Sequence, residues 1–108
     1  MKYFICENER EGTAYHEFFK GKWDNTFWNP ESILLHDDIL TENRDFCKAI
    51  MKIVPEYDPY GVTEINQEQW IDIGEEITDI TSKDIYDEAT VWLDTVWEEY
   101  DCITLLGI

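Results

Sequence analysis

Helical periodicity of apolar residues is the strongest pattern in the chain, and it appears in three segments. The first segment has four apolar positions at helical spacing: Phe46, Ala49, Ile50 and Ile53. Thr41 or Asn43 can cap the start of this helix, and Pro55 ends it because proline cannot continue the hydrogen-bond ladder. The pattern predicts an amphipathic helix with one face packed against a core.

The second helix has the clearest start signal. Asn66 is predicted as its N-cap, and Gln69 follows three residues later, as in a capping box. Ile65 and Trp70 occupy the two positions of a hydrophobic staple. The predicted apolar stripe is Trp70, Ile73, Ile77 and Ile80. Gly74 weakens the helix centre by about 1 kcal/mol relative to alanine, but a residue without a side chain permits close packing.

The third helix shows the most regular apolar stripe. It is predicted to begin near Thr81 or Ser82. Its apolar face consists of Ile85, Ala89, Trp92, Leu93, Val96, Trp97 and Tyr100. A stripe of this length predicts a helix that is packed against the core along most of its length.

Short apolar runs elsewhere in the chain predict strands. Residues 2–6, 32–36 and 62–65 each fit a short strand, and residues 102–108 fit a terminal strand that could pair with the first one. Residues 13–20 fit a short helix or a strand, and we favour the strand.

These elements predict one fold class. The chain has 108 residues, no internal repeat and no low-complexity linker, so we expect a single domain over residues 1–108. Its class is predicted as α+β, with about three helices packed against a short, mostly antiparallel sheet.

Acidic residues are concentrated in the second half of the chain. The whole chain has 8 Lys and Arg against 25 Asp and Glu, a net charge of −17. Residues 55–108 contain one basic residue, Lys83, and fifteen acidic residues, which leaves −14 in that half. A balance this acidic argues against a nucleic-acid-binding module, because phosphate backbones need Lys and Arg.

The acidic residues of the second and third helices fall opposite the apolar stripes when residues are placed about 100° apart. Nine of them are candidate partner-binding residues: Asp72, Glu75, Glu76, Asp79, Asp84, Asp87, Glu88, Asp94 and Glu98. Carboxylates with so few compensating cations favour a basic protein partner. An ordinary solvated face is the alternative interpretation.

A second set of candidates is aromatic. Trp23, Phe27, Trp28, Tyr57 and Tyr60 lie in segments rich in turn residues, outside the helical stripes. Such residues either fill the core from loops or anchor a partner, since Trp and Tyr are enriched at interface hot spots. We include Trp23, Trp28, Tyr57 and Tyr60 among the candidate partner-binding residues.

The chain offers few groups for catalysis. His16 and His36 lie in no recognisable motif, and we expect surface or core roles for both. The pair Asp37-Asp38 next to His36 could hold a metal ion, but adjacent carboxylates are common in turns. We therefore expect a protein that is not an enzyme, with no cofactor and no metal.

The cysteines and the apolar runs predict a compartment. Cys6, Cys47 and Cys102 have no metal-ligand spacing, so we expect three reduced, buried thiols. The N-terminal apolar run is shorter than that of a signal peptide, and no run reaches the ~18 apolar residues of a membrane span. We expect a cytoplasmic protein that does not contact a membrane.

Small size, acidic charge, the Trp and Tyr content and the stretch GVTEINQEQW over residues 61–70 together resemble one class of proteins. The chain resembles the immunity proteins of bacterial polymorphic toxin systems, including those of contact-dependent growth inhibition. The resemblance implies a cytoplasmic protein that binds a cognate, basic, nuclease-type toxin domain and blocks its active site or substrate surface. The alternatives are a DNA-mimic inhibitor of a DNA-binding protein, a small carboxylate-based enzyme, or a structural or regulatory domain.

Overall fold

A five-stranded antiparallel sheet forms the centre of the computed structural model, which describes residues 1–108. Its strands are β1 (Phe4–Ile5), β2 (Tyr15–Lys20), β3 (Ile33–His36), β4 (Val62–Asn66) and β5 (Cys102–Leu106). Their order across the sheet is β1-β3-β2-β5-β4, and every neighbouring pair is antiparallel. The favoured strand over residues 13–20 is confirmed as β2.

The terminal strand β5 does not pair with the first strand as predicted. It lies between β2 and β4, with Phe18 opposite Leu105 on one side and Ile65 opposite Ile103 on the other. The chain turns into a short 3-10 helix over Glu7–Glu9 directly after β1. With only two residues, β1 pairs with β3 alone and forms one edge of the sheet.

Four α-helices accompany the sheet: α1 (Asp37–Glu42), α2 (Arg44–Ile53), α3 (Gln67–Glu76) and α4 (Ile80–Val96). The three predicted helices are confirmed as α2, α3 and α4, so the α+β class is confirmed with one additional helix. The unpredicted helix α1 is capped by His36, whose Nδ1 accepts the backbone N–H of Asp38 at 3.0 Å. Acidic residues in its first turn suit the positive end of the helix dipole.

The junction between α3 and α4 differs from the predicted stripe. The capping box of α3 is present, with Asn66 and Gln69 exchanging side-chain-to-backbone hydrogen bonds at 2.8 and 2.9 Å. The helix ends at Glu76, however, and Asp79 caps a new helix that begins at Ile80. The break changes the helical phase, so Ile80 is 79% exposed instead of lying on the apolar stripe.

The C-terminal end of the predicted third stripe also differs from the structure. The helix α4 ends at Val96, so Tyr100 lies beyond it and is exposed. Trp92 and Trp97 are half-buried against the core instead of fully enclosed. The stripe is therefore correct from Ile85 to Val96 and wrong at Tyr100.

The helices cover one face of the sheet. On this face the ring of Phe18 meets Trp70 of α3 edge-on, with 6.3 Å between centroids. Trp70 also meets Phe46 of α2 edge-on at 6.2 Å. Both contacts are fully buried, so the core lies between the sheet and the helices.

The opposite face of the sheet is covered by a loop. Side chains alternate along β2, so Tyr15 and Glu17 point away from the helices. Both are buried, because residues 21–32, here named the aromatic loop, fold over them. Trp28 of this loop meets Tyr15 edge-on at 6.5 Å.

Candidate partner-binding surfaces

The outer sides of α3 and α4 carry a group of carboxylates that we name the carboxylate face. It consists of Asp72, Glu75, Asp84, Asp87, Asp94 and Glu98. All are exposed except the half-buried Asp72. Val91 is placed four residues after Asp87 and three before Asp94, and it is 74% exposed. An apolar side chain surrounded by charges is the usual composition of an interface anchor and its rim.

Tyr86 links the helices α3 and α4. Its ring stacks on Trp70 with 4.6 Å between centroids, and its hydroxyl donates to the Trp70 carbonyl at 2.7 Å. Burial raises the pKa of Tyr86, and the nearby charges of Asp87, Asp94 and Glu75 raise it further, against a lowering by Thr90. Carboxylates of both helices therefore act on the same phenol.

Compensating cations are scarce on this surface. Lys83 lies 4.7 Å from the centroid of the Tyr86 ring and 3.9 Å from the carboxylate of Asp87. Neither α3 nor α4 has a basic residue in its last turn, where the helix dipole favours a cation. Asp94 lies in the last turn of α4 and Glu98 just beyond it. The charge distribution is therefore unfavourable for the isolated domain.

Three predicted acidic residues have partners within the chain. Glu76 forms an ion pair with Lys52 of α2 at 2.5 Å, and Asp79 caps α4 by accepting the N–H of Ser82. Glu88 accepts the backbone N–H groups of residues 2–4, two of them at 2.8 Å. Lys52 and residues 2–4 are far from Glu76 and Glu88 in the sequence, so spacing gave no sign of these contacts. Asp79 lies only three residues before Ser82, the spacing of an ordinary N-cap, and the sequence pattern placed the helix start one or two residues too late.

The aromatic candidates lie elsewhere. Tyr57 is buried, so it fills the core and is not available to anchor a partner. Burial raises the pKa of Tyr57, and the nearby Cys47 and Asp37 raise it further. Trp23 and Trp28 are half-buried in the aromatic loop, and Tyr60 is 76% exposed. Because Trp28 is on the sheet face opposite the helices, the structure does not bring the aromatic and acidic candidates together.

The two histidines have separate structural partners. His16 is buried, and its Nε2 lies 2.8 Å from Oδ1 of Asp37. His36 caps α1 through the N–H of Asp38. Asp37 thus contacts His16, whereas His36 contacts Asp38, so the three neighbours do not share one set of contacts. The structure contains no group of three or more His, Cys, Asp or Glu side chains placed to hold a metal ion.

The cysteines are single thiols. Cys6, Cys47 and Cys102 form no disulfide, and each is only half-buried where burial was expected. Burial raises the pKa of the Cys47 thiol, and it raises that of Cys102 together with the charge of Glu64. A raised pKa reduces the thiolate fraction that nucleophilic chemistry needs.

Sequence reasoning missed one notable residue, Glu17. It is 1% exposed, and its carboxylate accepts the N–H groups of Trp28 at 2.7 Å and Asn29 at 3.0 Å. The hydroxyl of Ser32 also donates to it at 2.7 Å. Its position within the aromatic run of β2 is the only sequence signal, since a charge inside a predicted buried strand is unusual.

Comparisons of the chain with protein-family models, curated proteins and solved structures gave no match. The resemblance to immunity proteins therefore stays a prediction. None of the helices has the length and apolar content needed to cross a lipid bilayer.

Proposed function

We propose that the protein is an immunity-type inhibitor that binds a basic, nuclease-type toxin domain through the carboxylate face. The observation that supports this proposal most is the row Asp84, Asp87, Asp94 and Glu98 around the exposed Val91. A nuclease requires a basic surface for its phosphate substrate. Fixed carboxylates on a helix can occupy that surface in place of phosphates.

The electrostatic cost of the carboxylate face supports a functional reason for it. Clustered like charges repel one another, and acidic residues at a helix C-terminus oppose the dipole. A smaller net charge would already keep the domain soluble. A basic partner relieves both costs on binding, and long-range attraction accelerates the encounter.

The carboxylate face also has apolar side chains that a partner can bury. Val91 on α4 and Ile71 on α3, the latter 52% exposed, both lie beside carboxylates. Apolar surface that a partner removes from water contributes to the binding free energy, whereas rim charges mainly set the association rate. Val91 is therefore the residue whose truncation we expect to accelerate dissociation.

The proposal is tested with the product of the gene immediately upstream, in which it predicts a toxin domain. We expect a 1:1 complex whose association rate decreases steeply with added salt. The triple variant Asp87→Lys, Asp94→Lys, Glu98→Lys should slow association by at least about ten-fold. These positions avoid Asp79 and Glu88, whose hydrogen bonds hold the fold.

A control with the same change in net charge separates position from charge. Glu11→Lys, Glu42→Lys, Glu56→Lys changes three exposed residues outside α3 and α4. Equal slowing by both triple variants would contradict a specific carboxylate face. Competition by duplex DNA of unrelated DNA-binding proteins, without a single cognate partner, would favour the DNA-mimic alternative instead.

A further inference from the structure

The sheet face opposite the helices carries a groove with aromatic walls, which we name the aromatic groove. Its volume is about 380 Å³. Tyr15 and Glu17 of β2 lie in it with Phe27, Trp28, Tyr60 and Ile108. Phe18, the next residue of β2, points instead to Trp70 among the helices. The groove is therefore separate from the carboxylate face.

The walls of the aromatic groove face outward. Tyr60 is 76% exposed, Phe27 is 54% exposed and Ile108 is 43% exposed. Binding sites for small molecules enclose most of their ligand, and these open walls do not. Exposed aromatic walls of this kind suit a protein segment that lies across them and inserts one side chain.

The base of the groove contains a buried carboxylate, that of Glu17. It accepts three hydrogen bonds, from the backbone N–H groups of Trp28 and Asn29 and from the hydroxyl of Ser32. None of the ion pairs in the structure includes Glu17. A buried charge acts strongly on nearby groups because the local dielectric is low. Together with aromatic faces, it favours a cationic ligand.

The same aromatic cluster already holds a guanidinium group. The guanidinium carbon of Arg10 lies 4.2 Å from the centroid of the Trp28 ring. Trp28 itself has φ of +61°, a conformation that bulky residues rarely adopt, and its backbone N–H donates to Glu17. Glu17 thus holds the backbone of the residue whose indole forms one wall of the groove.

We propose that the aromatic groove binds an arginine side chain presented by a segment of a protein partner. The guanidinium stacks on the aromatic walls and is attracted by the carboxylate of Glu17 below them. The inference does not depend on the proposed function, because it concerns the opposite side of the molecule.

The proposal is tested by NMR titration of the full chain with the peptide acetyl-Gly-Gly-Arg-Gly-Gly-amide. The control peptide contains citrulline, which has the shape of arginine without its charge. We expect saturable shifts of the Trp28 indole N–H and of the backbone amides of Phe27 and Tyr60. Affinity for the citrulline peptide should be at least about five-fold weaker.

Exposed residues provide variants that keep the fold. Phe27→Ala and Tyr60→Ala should each weaken binding of the arginine peptide by about five-fold. Ile80→Ala, on the helical side, should leave the affinity for this peptide unchanged. Equal binding of the two peptides, or shifts confined to α3 and α4, would overturn the proposal. Binding of tetramethylammonium without binding of the peptide would also overturn it, because the site would then take free organic cations.

Discussion

At the scale of single residues, Gly74 shows how closely α3 and α4 approach. A Cβ atom at Gly74 would lie 2.4 Å from Cζ of Tyr86, well inside van der Waals contact. The Tyr86 ring cannot move away easily, because it stacks on Trp70 and donates its hydroxyl to the Trp70 carbonyl. Glycine is therefore required here by packing, at a cost in helix propensity.

Gly74→Ala should lower the free energy of unfolding by about 2 kcal/mol, because overpacking outweighs the gain in helix propensity. Urea unfolding measures the change. Tyr86→Phe frees the ring from its hydrogen bond to Trp70, so Gly74→Ala should cost less in the Tyr86→Phe background than in the native chain. An unchanged or raised urea midpoint for Gly74→Ala would show that the two helices separate without cost.

At the scale of elements, the short strand β1 depends on a residue far along the chain. Two ladder positions to β3 are too few to hold a strand by themselves. Besides the buried ring of Phe4, Glu88 of α4 holds this strand by accepting the N–H groups of Tyr3 and Phe4. A charged acceptor makes these bonds stronger than neutral ones.

Glu88→Gln should therefore release the N-terminal strand. We expect amide hydrogen exchange at Tyr3 and Phe4 to accelerate at least about ten-fold, since a lost charge-assisted bond costs about 1.5–3 kcal/mol. The neighbouring substitution Asp87→Asn removes an exposed carboxylate that has no backbone partner, so it should leave the exchange unchanged. Equal acceleration in both variants would mean that charge, not the hydrogen bonds, holds β1.

A second carboxylate links α2 to the start of α4 and makes stability depend on pH. Asp45 accepts the N–H groups of Asp79 and Thr78, each at 2.8 Å. These bonds lower the pKa of Asp45 below its ordinary value of 3.8, and the bond from Asp79 has the larger effect. A lowered folded-state pKa gives stability that is present above the unfolded-state pKa and lost as the pH decreases through the folded-state pKa.

Asp45→Asn should accordingly lower the free energy of unfolding at pH 7. The difference in stability between the variant and the native chain should shrink below about pH 4, because Asp45 of the native chain becomes protonated there. Thermal unfolding at pH values from 3 to 7 measures it. Asp84→Asn, at an exposed carboxylate without a hydrogen bond, provides the control. A difference that stays constant across this range would exclude the charge of Asp45 as the cause.

The same scale shows what sequence patterns can predict. Asn66 and Gln69 identified the start of α3 because capping uses neighbours in the chain. Ile80 was misplaced because the new cap at Asp79 interrupts a stripe whose residues still look continuous. The hydrogen bonds of Glu17 and Glu88 escaped prediction for a related reason, since their partners are brought to them only by the tertiary fold.

At the scale of the whole molecule, charge and aromatic character occupy opposite sides. The carboxylate face lies on the outer helices, and the aromatic groove lies beyond the far face of the sheet. The composition alone did not distinguish this arrangement from a single mixed interface. Two separate surfaces allow two independent contacts, and variants on one side serve as controls for the other.

The concentration of charge predicts a salt-dependent stability. Repulsion within a chain of net charge −17 is screened by added salt, so the unfolding midpoint should rise with NaCl. Asp94→Lys, Glu98→Lys reverses two charges at the C-terminal end of α4 and should raise the free energy of unfolding by about 1 kcal/mol at low salt. The gain should shrink as salt increases.

The double variant Glu11→Lys, Glu56→Lys changes the net charge equally at two exposed sites outside the helices and should raise stability less. Equal stabilisation by both variants would mean that only the total charge matters. If position matters as expected, the residues that we propose to bind a basic partner are the ones that reduce the stability of the free domain. A toxin-blocking surface predicts this combination, because its charges are compensated only in the complex.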